Sequence, residues 1–195
     1  MTRKKSRNRL KNIETDEGAG LTGAIREPAA GDAELFNETF RRGTKLLHQG
    51  RASESVAYLE QAFRLQPGNV DAVINLGGAY IMTKKFSKAV DILEPASRER
   101  PDHVQVWINL GAAYLGNPVL ARQEEQDRAI SAFERALEID PVAPSVAYNI
   151  GLVYRDKGEA DRAIHWFRQA IKHNPTDKDA RNLLNKLEAD QSPSK

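Results

Sequence analysis

The chain has 195 residues, with 29 Lys or Arg against 27 Asp or Glu, and no cysteine, which excludes disulfides, thiolate metal sites and cysteine nucleophiles. Its 40% apolar content supplies a core for one domain with tails, and no apolar run reaches the roughly 18 residues of a membrane span. The basic start is not followed by an apolar stretch, so no secretory leader or membrane contact is expected, and the cytoplasm is the expected compartment.

Residues 1–11 carry six bases (Arg3, Lys4, Lys5, Arg7, Arg9, Lys11) and no acid, and residues 12–34 carry six acids against Arg26 alone. Gly18, Gly20, Gly23, Pro28 and Gly31 break any helical period. Residues 1–34 are therefore expected to be a disordered arm, basic and then acidic, which cannot bury enough apolar surface to offset its ordering entropy. The basic stretch would suit nucleic-acid phosphates. No aromatic residue interleaves with it, however, and a solvated tail is the plainer expectation.

From Leu35 onward four segments carry the same residues in the same order. Gly43, Gly77, Gly111 and Gly151 form one column, and Leu46, Tyr80, Tyr114 and Tyr154 another. Leu59, Leu93, Phe133 and Phe167 follow, then Ala62, Ala96, Ala136 and Ala170, then Pro67, Pro101, Pro141 and Pro175. The prolines stand 34, 40 and 34 residues apart. Such a period signals stacked units, each too small to bury its apolar face alone.

Each unit reads as two helices. In the second, Val73, Leu76, Gly77 and Tyr80 recur at helical spacing, and so do Ala89, Ile92, Leu93 and Ala96. Gly50 and Gly158 mark turns between helices, and Gly116-Asn117-Pro118 closes the first helix of the third unit. Ser53, Ser87, Asp127 and Asp161 are placed to cap the second helices, and the proline column ends them. Pro95, inside a second helix, predicts a bend near its end. The glycine column is expected to face Ser55, Ala89, Ala129 and Ala163 across a close helix crossing. The third unit holds six extra residues within Gly116–Gln126, expected to loop out or lengthen its helices, or else to add Arg122, Gln123 and Glu124 to a binding groove. After Pro175, Leu183, Leu184 and Leu187 lie on one side of a final amphipathic helix.

These columns resemble the tetratricopeptide repeat, over about residues 36–176. Repeats two to four match closely, whereas in repeat one Thr39, Arg42 and Ser55 replace expected apolar or Ala residues, as suits a terminal unit. The resemblance implies an all-α solenoid of four helix-turn-helix units in a right-handed superhelix. Repeats are expected at about 36–69, 70–103, 104–143 and 144–177, with a capping helix over 177–190 and a disordered tail over 191–195. It also implies a concave groove lined by the first helices: Ile74, Asn75, Gly78 and Ile81, then Ile108, Asn109, Ala112 and Leu115, then Tyr148, Asn149, Leu152 and Arg155. Asn75, Asn109 and Asn149 share one place and resemble the asparagine ladder of some members, which holds a peptide backbone. Hydrogen bonding to the next repeat is the alternative use of the same amides. The carboxylate clamp of chaperone-binding members is not matched, because Phe40, Thr44, Gln105 and Asn109 stand at its places.

His48, His103, His165 and His173 fall at four different places in the repeat, with no metal-ligand spacing, phosphate loop or nucleophile elbow. Trp107 and Trp166 lie on apolar helix faces and are expected in the core. The expected function is a non-enzymatic adaptor, without cofactor, that binds a protein or peptide segment and is itself a monomer. Self-association through an exposed end, and tethering to nucleic acid by the basic arm, stay open as alternatives.

Overall fold

The computed structural model describes residues 31–116, 121–143 and 145–191. Residues 1–30 of the expected arm (1–34) and 192–195 of the expected tail (191–195) lie outside the described residues, as do 117–120 and Pro144. Four helix pairs follow one another: α1 (Asp32–His48) with α2 (Ala52–Leu65), α3 (Val70–Met82) with α4 (Phe86–Glu99), α5 (Val104–Leu115) with α6 (Gln123–Ile139), and α7 (Val146–Asp156) with α8 (Ala160–His173). A single helix, α9 (Lys178–Gln191), closes the array against α8. Among the principal packings, α1 meets α3 and α3 meets α5, while second helices do not pair with one another. The first helices of repeats one to three thus form an inner row, and α7 joins the array through α6 and α8. Asp32 and Glu34, the acidic end of the expected arm, form the first turn of α1, where carboxylates meet the positive end of the helix dipole.

The turns within repeats one, two and four share one geometry. In repeat one the Arg51 N–H reaches the Leu46 carbonyl at 2.9 Å and the Gly50 N–H reaches Leu47 at 3.0 Å. Lys85 to Tyr80 (2.8 Å) with Lys84 to Ile81 (3.0 Å), and Glu159 to Tyr154 with Gly158 to Arg155 (both 2.9 Å), repeat it. This Schellman arrangement needs a left-handed residue at its centre. Gly50 and Gly158 supply it at φ of 74° and 76°, but repeat two uses Lys84 at φ 60°. The turn residue that follows, Arg51, Lys85 or Glu159, is already the N-cap of the next helix. No room is left for a separate cap, so the expected capping column fails. Ser53, Ser87 and Asp161 are second residues of their helices, and Asp127 lies in the second turn of α6. Side-chain caps appear elsewhere, with Asn69 Oδ1 accepting the Ala72 N–H at 3.0 Å and Asp177 Oδ1 accepting that of Ala180 at 2.9 Å.

The glycine column makes its nearest contacts with the column of large residues. A Cβ built on Gly43 would lie 2.7 Å from Leu59, on Gly77 3.0 Å from Leu93, on Gly111 2.6 Å from Phe133 and on Gly151 2.8 Å from Phe167. The nearest atoms to each glycine therefore belong to the large column. Each of those large side chains is at most 1% exposed. Burying such a side chain stabilises by roughly 1.5–3 kcal/mol. The proline column stands as expected, each proline two residues beyond the last residue of α2, α4, α6 or α8. Pro95 is exposed, and α4 continues past it to Glu99.

In repeat one the polar replacements are satisfied locally. Buried Thr39 donates to the Leu35 carbonyl at 2.7 Å, and buried Ser55 to that of Ala52 at 2.7 Å. At the far end Leu183, Leu184 and Leu187 pack on the core of repeat four, as a capping helix requires.

A candidate binding face on the first helices

Residues at spacings of one, four and seven lie on one side of a helix. On α3, α5 and α7 that side carries the twelve expected groove residues, and every one is half-buried. Ile74 and Ile81 rest on the core of the first repeats, and Ile108, Leu115, Tyr148 and Leu152 on that of the last two. Their outer halves remain open. Gly78 leaves space above it, since a Cβ there would meet only Asn109 Nδ2 at 3.9 Å and Leu47 Cδ2 at 4.0 Å. Tyr148 lies against Phe167 with ring centroids 5.8 Å apart. Burial, helped by Asp179 and Asp177, raises its phenol pKa. The Arg155 guanidinium is held by its neighbour Asp156, 2.8 Å from Nε.

The asparagine column divides. Asn75 Nδ2 donates to Thr44 Oγ1 at 2.8 Å, across the junction of repeats one and two. Asn109 Nδ2 donates to the Ile74 carbonyl at 3.0 Å, across the next junction, and its Oδ1 accepts from Gln105 Nε2 at 3.0 Å. Asn149 makes no side-chain hydrogen bond among the described residues. Two of the three amides thus hold neighbouring repeats, and one is unspent.

A second set of contacts follows the same division. Tyr80 donates to Glu60 at 2.7 Å, and Tyr114 to Glu94 at 2.7 Å. Arg128 stacks 4.0 Å from the centre of the Tyr114 ring and also pairs with Glu94. Tyr154, although buried, has no such bond among the described residues. At that junction Lys157, its side chain 10% exposed, bridges Asp127 and Glu159 instead. The hydrogen bonds with these acids, chiefly that of Asp127, raise the Lys157 pKa against the opposing effect of burial. Helix α7 also starts two places later in the repeat than α3 and α5. A glutamate column, Glu60, Glu94 and Glu134, directly follows Leu59, Leu93 and Phe133 in the sequence. It signals these contacts, and a search for apolar periods passes over it.

Outside this face, Gln123 and Glu124 line an open hollow of about 830 Å³ with Trp107 and Tyr114. The lengthened start of α6 therefore adds to a hollow that contains none of the twelve groove residues. Exposed Arg122 bonds back to Glu125 at 3.1 Å. Trp107 is half-buried, with Nε1 donating to the Pro101 carbonyl at 3.1 Å, and Trp166 is half-buried on the second core. Among the described residues no three His, Asp or Glu converge as metal ligands, and no helix is long and apolar enough to cross a membrane.

Profiles of the tetratricopeptide repeat match residues 46–116 and 118–178. A stretch of 53 residues is 42% identical to the photosystem I assembly protein Ycf3 of a Synechococcus species, covering 24% of this chain and 31% of that one. Ycf3 of Prochlorococcus marinus is 36% identical over 55 residues, covering 25% and 32%. The chain thus spans about a third of the length of these curated relatives. Among solved structures, a thermophilic repeat protein of Thermus thermophilus aligns with a TM-score of 0.68 at 22% identity, over 80% of this chain and 82% of that one. MamA of Desulfovibrio magneticus, from its residue 41 to the end, aligns with a TM-score of 0.68 at 19% identity, over 83% and 86%. These likenesses concern the fold. With both profiles, the repeated columns and the helix pairs in agreement, the chain belongs to the tetratricopeptide repeat family.

Proposed function

We propose that the chain is a non-enzymatic scaffold that docks an extended segment of a partner protein along the inner face of α3, α5 and α7. The observation that carries this is the state of the twelve side chains: all half-buried, mostly apolar, and including an unspent amide at Asn149. Apolar anchors of the partner would rest on Ile108, Leu115, Tyr148 and Leu152. Asn149 would hold its backbone with one donor and one acceptor. That Ycf3 is named as an assembly protein accords with a protein partner. We further propose that the chain acts in the cytoplasm as a monomer, on a protein and not on nucleic acid.

The two uses of asparagine give the test. Peptides are selected from a random display library on the purified chain, and the best is titrated by calorimetry. Asn149→Ala should weaken binding about fivefold, the equivalent of one hydrogen bond of about 1 kcal/mol, and leave urea stability unchanged. Asn109→Ala should instead lower stability by about 1 kcal/mol, since it removes the hydrogen bond that ties α5 to the Ile74 carbonyl of α3. The proposal fails if the selected peptides shift amide resonances of α4 and α6 but not of α3, α5 and α7. It fails equally if Asn149→Ala and Leu152→Glu both bind like wild type.

A further inference from the structure

In repeats two and three the preceding second helix covers one face of the first helix and brings a carboxylate to it. Glu60 of α2 accepts from Tyr80, and Glu94 of α4 accepts from Tyr114. Leu76 and Leu110, one turn before those tyrosines, are 0% and 2% exposed. Among the described residues nothing precedes α1 to cover the same face. There Leu46 stands at the tyrosine place, and exposed Arg42 at the place of Leu76 and Leu110.

The uncovered face is an open hollow of about 720 Å³ whose lining includes Arg41, Arg42, Lys45, Leu46, Arg51 and Tyr58. Arg51 is spent on Glu54. The Arg42 guanidinium stacks 4.7 Å from the Tyr58 ring centre. Arg41, Arg42 and Lys45 have no acidic partner among the described residues, and of the two acids in the lining only Glu38 is not already paired. Cations therefore stand beside Leu46 and Tyr58 where this fold, at its next two junctions, receives a helix bearing an acid.

We infer that this end of the solenoid is a second docking site, for an amphipathic helix of a partner protein that carries carboxylates beside an apolar stripe. Continuity with the chain's own inter-repeat packing favours a helix, and the unpaired cations favour an acidic one. The nearer part of the chain's own start, residues 12–30, holds four acids against Arg26 alone, but Gly18, Gly20, Gly23 and Pro28 break any helical period there, so a separate helix fits better than the chain's own start. The site does not depend on the inner face.

The full chain is titrated, by fluorescence anisotropy at low ionic strength, with a labelled helical peptide of about 14 residues that flanks a leucine stripe with glutamates. A second peptide replaces every glutamate by glutamine. The acidic peptide should bind about tenfold more tightly, and raising the salt toward 1 M should remove that preference. The combined variant Arg41→Gln, Arg42→Gln and Lys45→Gln should lose about tenfold in affinity with unchanged circular dichroism, because all three side chains are exposed. Leu152→Glu, on the inner face, should bind the acidic peptide like wild type. Equal affinity for the two peptides, or full affinity in the triple variant, would overturn the inference. So would an acidic-peptide affinity that rises about tenfold when Glu14, Asp16, Glu17 and Glu27 are neutralised, which would make the chain's own start the occupant. Concentration-dependent dimers that the triple variant abolishes would make the occupant a second copy, and overturn it as well.

Discussion

Gly111→Ala and Gly78→Ala put the same methyl group into two helices of one array, with opposite expected results. In a helix interior alanine is favoured over glycine by roughly 0.5–1 kcal/mol. At Gly78 little opposes that gain, since the nearest atoms to a new Cβ are 3.9 and 4.0 Å away, an ordinary contact. At Gly111 the Cβ would come within 2.6, 2.7 and 3.0 Å of three ring atoms of Phe133. That ring is 1% exposed and has no open side toward which to move. Overpacking of this kind costs roughly 1–3 kcal/mol. Subtracting one variant from the other removes the helix-propensity contribution, which both share, and leaves the cost of the contact. Urea unfolding followed by Trp107 and Trp166 fluorescence, which report on repeats three and four, measures the difference. With a slope of about 1–3 kcal/mol per molar urea, the midpoints should separate by on the order of 1 M, Gly111→Ala being the lower. If both variants unfold at the same urea concentration, the glycine column does not serve to admit the large column, and the packing described above is wrong.

Lys84→Gly should stabilise the chain by about 0.5–1 kcal/mol, because relief of a left-handed penalty of about 1–2 kcal/mol exceeds the extra entropy glycine brings to the unfolded state. A thermal midpoint raised by roughly 2–4 °C would show it, and a lowered midpoint would count against the strain assigned to φ 60°. At high pH the buried phenols should matter. Burial first, and then the hydrogen bonds to Glu60 and Glu94, raise the pKa of Tyr80 and Tyr114, so the folded chain holds these protons more tightly than the unfolded one. Their contribution is complete below the ordinary tyrosine value of about 10 and is lost as pH rises above it. Urea midpoints should fall beyond about pH 10, less steeply in Tyr80→Phe, and a level profile would contradict the assignment.

Much of the architecture is legible in the sequence because it rests on period. The columns place each helix pair, and the prolines place each ending within two residues. What the sequence conceals is offset and sharing. Which side chain comes nearest Gly111 depends on where two helices cross along their lengths, and Phe133 does so. Whether Ser53 caps a helix depends on whether the turn before it ends in a separate residue, and Arg51 serves both helices at once. In the candidate face the twelve residues come from the family resemblance and share one side of each helix, yet the three asparagines, identical by that criterion, differ in use. Hydrogen bonds form across a gap whose width is set by a neighbouring repeat, and no single column records it.

The junction between repeats three and four is where that width changes. Six residues are added between Gly111 and Phe133, α6 has 17 residues where α2, α4 and α8 have 14, and α7 starts late. Both hydrogen bonds that join the earlier repeats, through the asparagine and through the tyrosine, are missing there among the described residues. Lys157 and Asp127 replace part of that attachment from the turn after α7, away from the inner face. An amide that holds the preceding repeat has fewer donors and acceptors left for a ligand, as Asn109 shows by donating to Ile74 while accepting from Gln105. Asn149 escapes that competition because its junction is held by an ion pair. If the inner face binds a partner, its polar contacts should therefore concentrate on repeat four. The interruption of the repeat would then matter to function less through the residues it adds than through the one it leaves free.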